Sequence, residues 1–349
     1  MELVGATTPR AYPHPKVRPD WLAQVEEAAL APGLPIIDPH HHLWHDRPSG
    51  RYMPEELFAE LSSGHRIVAT VFMQCGWMHR TEGREALRPA GETEAVNAAA
   101  VLSATGAYGP ALACAGIVGW ADLRSPALDD TLDAHEDAGG KRFRGIRQIA
   151  ARDPAIVPTY ATPTPPDLLR DPAFQRGLRR LGERGFSYDS FCFHPQLPDL
   201  LEAARAAPGT TIVIDHVGGP LGCGPYRARQ DEVLDAWSAS MQALASCRNV
   251  HVKLGGLAMP VNGFDYHEEP APPCSERIAR DWRPFIEPCI EWFGPDRCMF
   301  ESNFPVDKGM VGYTVLWNAF KRLASGASPS ERAALFHDTA RTVYRLDLP

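Results

Sequence analysis

The sequence predicts a single (β/α)8 barrel preceded by an N-terminal arm. Eight short runs rich in β-branched or apolar residues alternate with stretches of helical periodicity from residue 36 onward, the pattern that builds a parallel sheet from βα units. Eight strands exceed the usual count of an open doubly wound sheet, and the first turn carries histidines where a dinucleotide-binding sheet carries a glycine fingerprint. The 349 residues, 44% hydrophobic and 22% charged, can fill one large core and exclude a disordered, collagen-like or coiled-coil chain.

The expected strands are 36–43, 66–75, 111–121, 143–150, 186–194, 210–217, 249–257 and 297–304. Between and after them, 92–105, 126–138, 171–184, 197–207, 231–247, 275–292 and 328–344 place apolar residues at helical spacing. Asp171 and Ser328 are natural N-caps ahead of Pro172 and Pro329, since proline at the first helical position gives up only a donor that has no partner there. Ahead of the barrel, 20–30 reads as a short amphipathic helix after a proline-rich stretch without periodicity. The expected division is an arm over 1–35 and a barrel over 36–349, the arm lying on the barrel surface or on a second subunit of a homo-oligomer.

Charge and cysteine usage narrow the partners. With 35 Lys and Arg against 43 Asp and Glu, a net charge of −8 and no basic block, nucleic acid is not an expected partner. No apolar run approaches the roughly 18–20 residues that cross a bilayer, and the N-terminus has no apolar signal core. A cytoplasmic protein acting on a small molecule, without a membrane partner, is therefore expected. The eight cysteines include no C-x-x-C pair, which points away from a zinc–thiolate knot or a redox dithiol.

The strongest chemical signal is Asp38-Pro39-His40-His41-His42-Leu43-Trp44 at the end of the first strand. Residues two apart on a strand share a face, so His40 and His42 both project into the C-terminal mouth, where barrel enzymes carry their sites. Two imidazoles there can clamp one divalent ion. His41 faces the other way.

With this motif, and with Phe193-His194-Pro195-Gln196, Ile214-Asp215-His216-Val217, Val252-Lys253-Leu254-Gly255-Gly256 and Phe300-Glu301-Ser302-Asn303-Phe304-Pro305 on later strands, the chain resembles the amidohydrolase superfamily. The likeness is to the amidohydrolase-related group of 2-pyrone-4,6-dicarboxylate, L-rhamnono- and L-fuconolactonases. The resemblance implies a metal set of His40, His42, His194 and His216, with His194 also catalytic, around one divalent ion, zinc or else manganese. It also leaves a metal-free variant open, as some relatives resemble enzymes that work without metal.

Relatives usually read Gly-Ser-Asp-Trp-Pro on the eighth strand, where this chain has Asn303 in place of the aspartate. An amide cannot accept a proton at neutral pH. Glu301, two residues back on the same face, is one replacement for the lost carboxylate, with Asn303 orienting water or substrate. The other reading makes Glu301 an interior ion-pair partner of Lys253 or Arg147, and Asp307 is a further candidate base. On the fourth strand Arg144 and Arg147 are three apart, so only one faces inward, and arginine cannot bridge two metals. Arg147, Arg124 and Lys253 are expected to grip a carboxylated or otherwise oxygen-rich substrate, and Gln74, Trp44 and Tyr188 to line its pocket. The expected activity is the opening of a lactone or cyclic ester by activated water. Non-oxidative decarboxylation on the same barrel, or ligand binding without turnover, are the other readings.

Overall fold

The computed structural model describes residues 10–157 and 164–348. Eight strands form one sheet: β1 (Pro35–His41), β2 (Arg66–Met73), β3 (Leu112–Gly119), β4 (Phe143–Arg147), β5 (Ser187–Ser190), β6 (Ile212–Ile214), β7 (Val250–Leu254) and β8 (Cys298–Phe300). They run parallel and neighbour one another in chain order. Closure of β8 onto β1 comes from single contacts: a bridge between His41 and Phe304, Asn303 N–H donating to His40 O at 3.0 Å, and His42 N–H donating to Phe304 O at 2.8 Å. Asp38 reinforces the seam. Its carboxylate accepts from the Ser302 N–H at 3.0 Å and the Tyr313 hydroxyl at 3.0 Å, and burial pushes its carboxyl up to about 6 against those bonds. The result is a (β/α)8 barrel.

Helices cover the outside because each buries an apolar stripe on the sheet. Two of them were not expected from the sequence. Pro54–Leu61 is only two turns long, and Tyr313–Leu323 buries nine of its eleven residues. The expected helix over 20–30 is corrected to the single turn Pro19–Leu22. Beyond it Glu27 is drawn away to accept from Ser275 N–H at 2.7 Å and Asn318 Nδ2 at 2.9 Å. The expected C-terminal helix is interrupted by a π-helical turn, Ala334–Asp338.

Inside the barrel the floor is apolar. Ile37, Val71, Met73, Val118, Val213 and Met299 pack against Val343, Tyr344 and Leu346, which plug the N-terminal end of the strands. The polar layers that follow toward the C-terminal mouth form the site.

Candidate active site

The first polar layer is an ion cluster. Lys253 on β7 is completely buried, its Nζ 2.8 Å from Asp189 and 3.0 Å from Asp215. Arg147 on β4 pairs through Nε with the other oxygen of Asp215 at 2.9 Å. The Tyr344 hydroxyl donates to Asp189 at 2.5 Å. Burial alone would lower the Lys253 ammonium, but the two carboxylates outweigh it and hold it above its ordinary value. The expectation that Lys253 grips substrate is therefore corrected: its donors are consumed inside the barrel wall.

Above this layer Glu301 holds two histidines. Its Oε1 is 2.7 Å from His216 Nδ1, and its Oε2 is 2.7 Å from His40 Nδ1. Glu301 is completely enclosed. Burial would raise its carboxyl, but the imidazoles of His216 and His40 hold it well below the usual carboxylate range. It pairs with neither Lys253 nor Arg147. Lys253 Nζ, which can only donate, stands 3.3 Å from His40 Nδ1, and Glu301 Oε2 makes no hydrogen bond despite its short approach to that atom, so Glu301 does not fix the tautomer of His40. On His42, Nδ1 meets the Met73 carbonyl at 2.8 Å, so this ring carries its proton on Nδ1.

His42 and His216 therefore keep their Nε2 atoms bare. The Nε2 atoms of His40 and His42 face each other at 3.3 Å, the separation that two Zn–N bonds of about 2.0–2.1 Å give at a tetrahedral angle. With a proton on His40 Nε2 the two rings hydrogen-bond, and with that proton gone the donor set fits a divalent ion. His40, His216 and Glu301 also bring ligand-type atoms within 4.8 Å of one another. Glu301 faces the Nδ1 side of both rings, where an outer carboxylate would stand behind metal-ligating histidines. Two residues of the expected ligand set, His42 and His194, lie outside this group; His42 meets it through the Nε2 of His40, and His194 is turned elsewhere. It sits in the 3-10 turn His194–Gln196, its Nδ1 accepts from the Leu221 N–H at 3.2 Å, and its ring lies edge-on to Tyr226.

Two glycines let these groups approach. A Cβ on Gly256 would lie 2.1 Å from His216 Nδ1, at a backbone φ of +66°. One on Gly255 would lie 2.3 Å from the Glu301 carbonyl oxygen. Gly256→Ala must therefore push His216 off Glu301, and displacement of a reacting group by about 1 Å costs on the order of 100-fold in rate. The expected result is at least that loss in kcat/KM; an alanine variant with full activity would show that His216 does not need this position.

Asn303 adopts a left-handed backbone, φ +55°, which asparagine tolerates better than most residues. Its amide donates to Asp307 Oδ1 at 2.8 Å, and Asp307 also accepts from the Ala258 N–H at 3.2 Å. Asp307 is completely buried, and burial pushes its carboxyl well above the carboxylate range. It is corrected from a candidate base to the group that positions Asn303. The side-chain amide supplies the donor that a carboxylate at 303 would lack.

The histidines open into a cavity of about 640 Å³ that His42, His216, Asn303, Trp44, Gln74, Arg124 and Arg147 help to line. Trp44 stacks on His42, ring centroids 5.7 Å apart. Arg147 also donates to the Gln74 carbonyl at 3.2 Å, and Arg124 is chelated to Asp122. Tyr188 is corrected: it is fully buried and its hydroxyl donates to the Gln148 carbonyl at 2.9 Å, outside the cavity lining. Sequence reasoning missed Arg47, Arg80, Arg88, Arg152 and His79, which also line the cavity; they lie in connections, where no periodicity signals orientation. Six arginines thus face three acids, Glu85, Asp122 and Asp153.

The histidines stand at the C-terminal mouth, where barrel enzymes carry their sites. The family model for amidohydrolases matches residues 37–346, and the chain belongs to that family. It is 34% identical to the uncharacterized protein y4mH of Sinorhizobium fredii, over 90% of this chain and 99% of that one. It is 29% identical to the L-fucono-1,5-lactonase of Burkholderia multivorans, over 90% of this chain and 97% of that one. A crystal structure of an amidohydrolase from Burkholderia multivorans with bound zinc shares the fold with a TM-score of 0.67 at 25% identity, covering 90% of this chain and 99% of that chain. No helix among the described residues is long and apolar enough to cross a membrane.

Proposed function

We propose that the protein opens a lactone of a polar or carboxylated small molecule by activated water. The observation that carries this reading is Glu301, which accepts the Nδ1 proton of His216 at 2.7 Å and leaves that ring's Nε2 free, while its other oxygen lies 2.7 Å from His40 Nδ1. The likeness to an L-fucono-1,5-lactonase supports a lactone as the bond broken, and the excess of arginines in the cavity supports an oxygen-rich or anionic substrate.

His216 acts as the base. Its Nε2 takes a proton from water while the water oxygen bonds to the lactone carbonyl carbon, and the Glu301 carboxylate stabilises the imidazolium that forms. When the tetrahedral centre collapses, the bond from the carbonyl carbon to the ring oxygen breaks and the imidazolium returns its proton to that oxygen. The product is a hydroxy acid, which ionises at neutral pH. Arg147 and Arg124 orient the substrate, and Asn303, Gln74 and Trp44 shape its binding face. A divalent ion held by His40 and His42, zinc or else manganese, supplies electrophilic polarisation of the carbonyl when bound.

The test is a pH-stat screen of aldonolactones, with L-fucono-1,5-lactone first and 2-pyrone-4,6-dicarboxylate second, beside plasma mass spectrometry of protein purified without chelator. Base consumption proportional to enzyme, and close to one zinc or manganese per chain that is lost in His42→Ala, are the expected results. Release of CO₂ from a carboxylic acid without base consumption on any lactone would replace the reading by a lyase.

A further inference from the structure

The N-terminal arm lies outside the segment matched by the family model, which begins at residue 37, yet it reaches the cavity. Arg10 and Ala11 pair in parallel with Ile156 and Val157. On the far side, the Val17 N–H donates to the Ser49 carbonyl at 2.9 Å and Arg18 donates to the His267 carbonyl at 2.7 Å. The segment between these anchors, Tyr12-Pro13-His14, lines the same cavity as His42 and His216.

The buried His41, His135 and His65 have ring partners: His41 meets Thr70, His135 meets Thr93 and the Trp120 carbonyl, and His65 meets Lys321 and the Thr314 carbonyl. Among the described residues, the half-buried His14, His251 and His267 have an enclosed Nδ1 without a partner, and of these three only His14 lines the cavity. An enclosed polar atom without a partner costs about 1–3 kcal/mol, and for His14 the cavity is the place from which a partner can come. Arg47 and His216 are the charged and titratable groups that act on it, and burial drives its imidazole down to about 4, keeping it neutral.

We propose that His14 is a substrate-binding residue supplied by the arm, its imidazole hydrogen-bonding a hydroxyl or carboxylate oxygen of the substrate beside Arg47. The arm thereby contributes to the specificity of the cavity. For its substrate this rests on the lactonase reading; the contact itself does not.

The test compares wild type, His14→Ala and His14→Gln in L-fucono-1,5-lactone hydrolysis, together with thermal unfolding. Histidine ring spectra are recorded while citrate or the hydrolysis product is added. Losing one neutral hydrogen bond raises KM by up to about 10-fold. We expect that rise in His14→Ala, with kcat and Tm little changed, partial recovery in His14→Gln, and a ligand-induced shift of the His14 resonance in wild type. Unchanged KM in a folded His14→Ala variant, or a lowered Tm with both kinetic constants intact, overturns the proposal. If wild type opens no lactone, the function proposed above fails alone. The His14 contact is then decided by the citrate titration, and a His14 resonance that stays fixed up to high millimolar citrate overturns it.

Discussion

Glu301→Gln is expected to lower kcat for lactone opening by about 10³–10⁴-fold, the size seen when the carboxylate behind a catalytic histidine becomes an amide. Glutamine offers one acceptor and one donor where Glu301 offers two acceptors, each 2.7 Å from an Nδ1. Where the amide nitrogen faces His216, that ring must turn over its tautomer and carry its proton on Nε2, facing the cavity. Stability should also fall, because removing the charged partner of a buried pair costs about 3–5 kcal/mol. Steady-state kinetics with thermal unfolding check both. A variant with full activity removes Glu301 from the mechanism, whatever its stability.

Lys253→Met separates two roles that the sequence could not. Were Lys253 a substrate anchor, its loss would raise KM and leave the fold alone. In the barrel wall it neutralises Asp189 and Asp215, and an unpaired buried carboxylate is penalised by several kcal/mol. A loss of about 4 kcal/mol lowers Tm by about 5 °C for 349 residues at roughly 2.1 cal/mol/K per residue. We expect that drop, with Asp189→Asn in the same chain recovering part of it, since Asp215 keeps Arg147 at 2.9 Å. Unchanged Tm with raised KM would return Lys253 to the substrate.

Much of the fold was legible because barrel strands and amphipathic helices impose different periods on the chain. Tyr313–Leu323 was not read: only Lys321 and Arg322 among its eleven residues are charged, and it is buried nearly all round. In the site, strand alternation was enough to place His40 and His42 on one face. Glu301, legible as a carboxylate two residues before Asn303 on the same face, is contacted by both His40 and His216. What alternation cannot give is which of several inward residues satisfy one another. Lys253, Asp307 and Tyr188 all have reactive groups on the right strands or loops, and each spends them on a neighbour brought close by closure of the barrel. His194 follows a strand end by only a few residues, where a 3-10 turn redirects it. The arm residues and loop arginines carry no periodic signal at all.

The most direct measurement is a long-range ¹H–¹⁵N spectrum of histidine-labelled protein, with the rings assigned by single replacement of His40, His42 and His216. Protonated Nδ1 and bare Nε2 on His42 and His216 is the predicted result, because the Met73 carbonyl and Glu301 accept those protons. A neutral His42 or His216 protonated on Nε2 would contradict it, leaving the cavity without the lone pairs on which both water activation and ion binding depend.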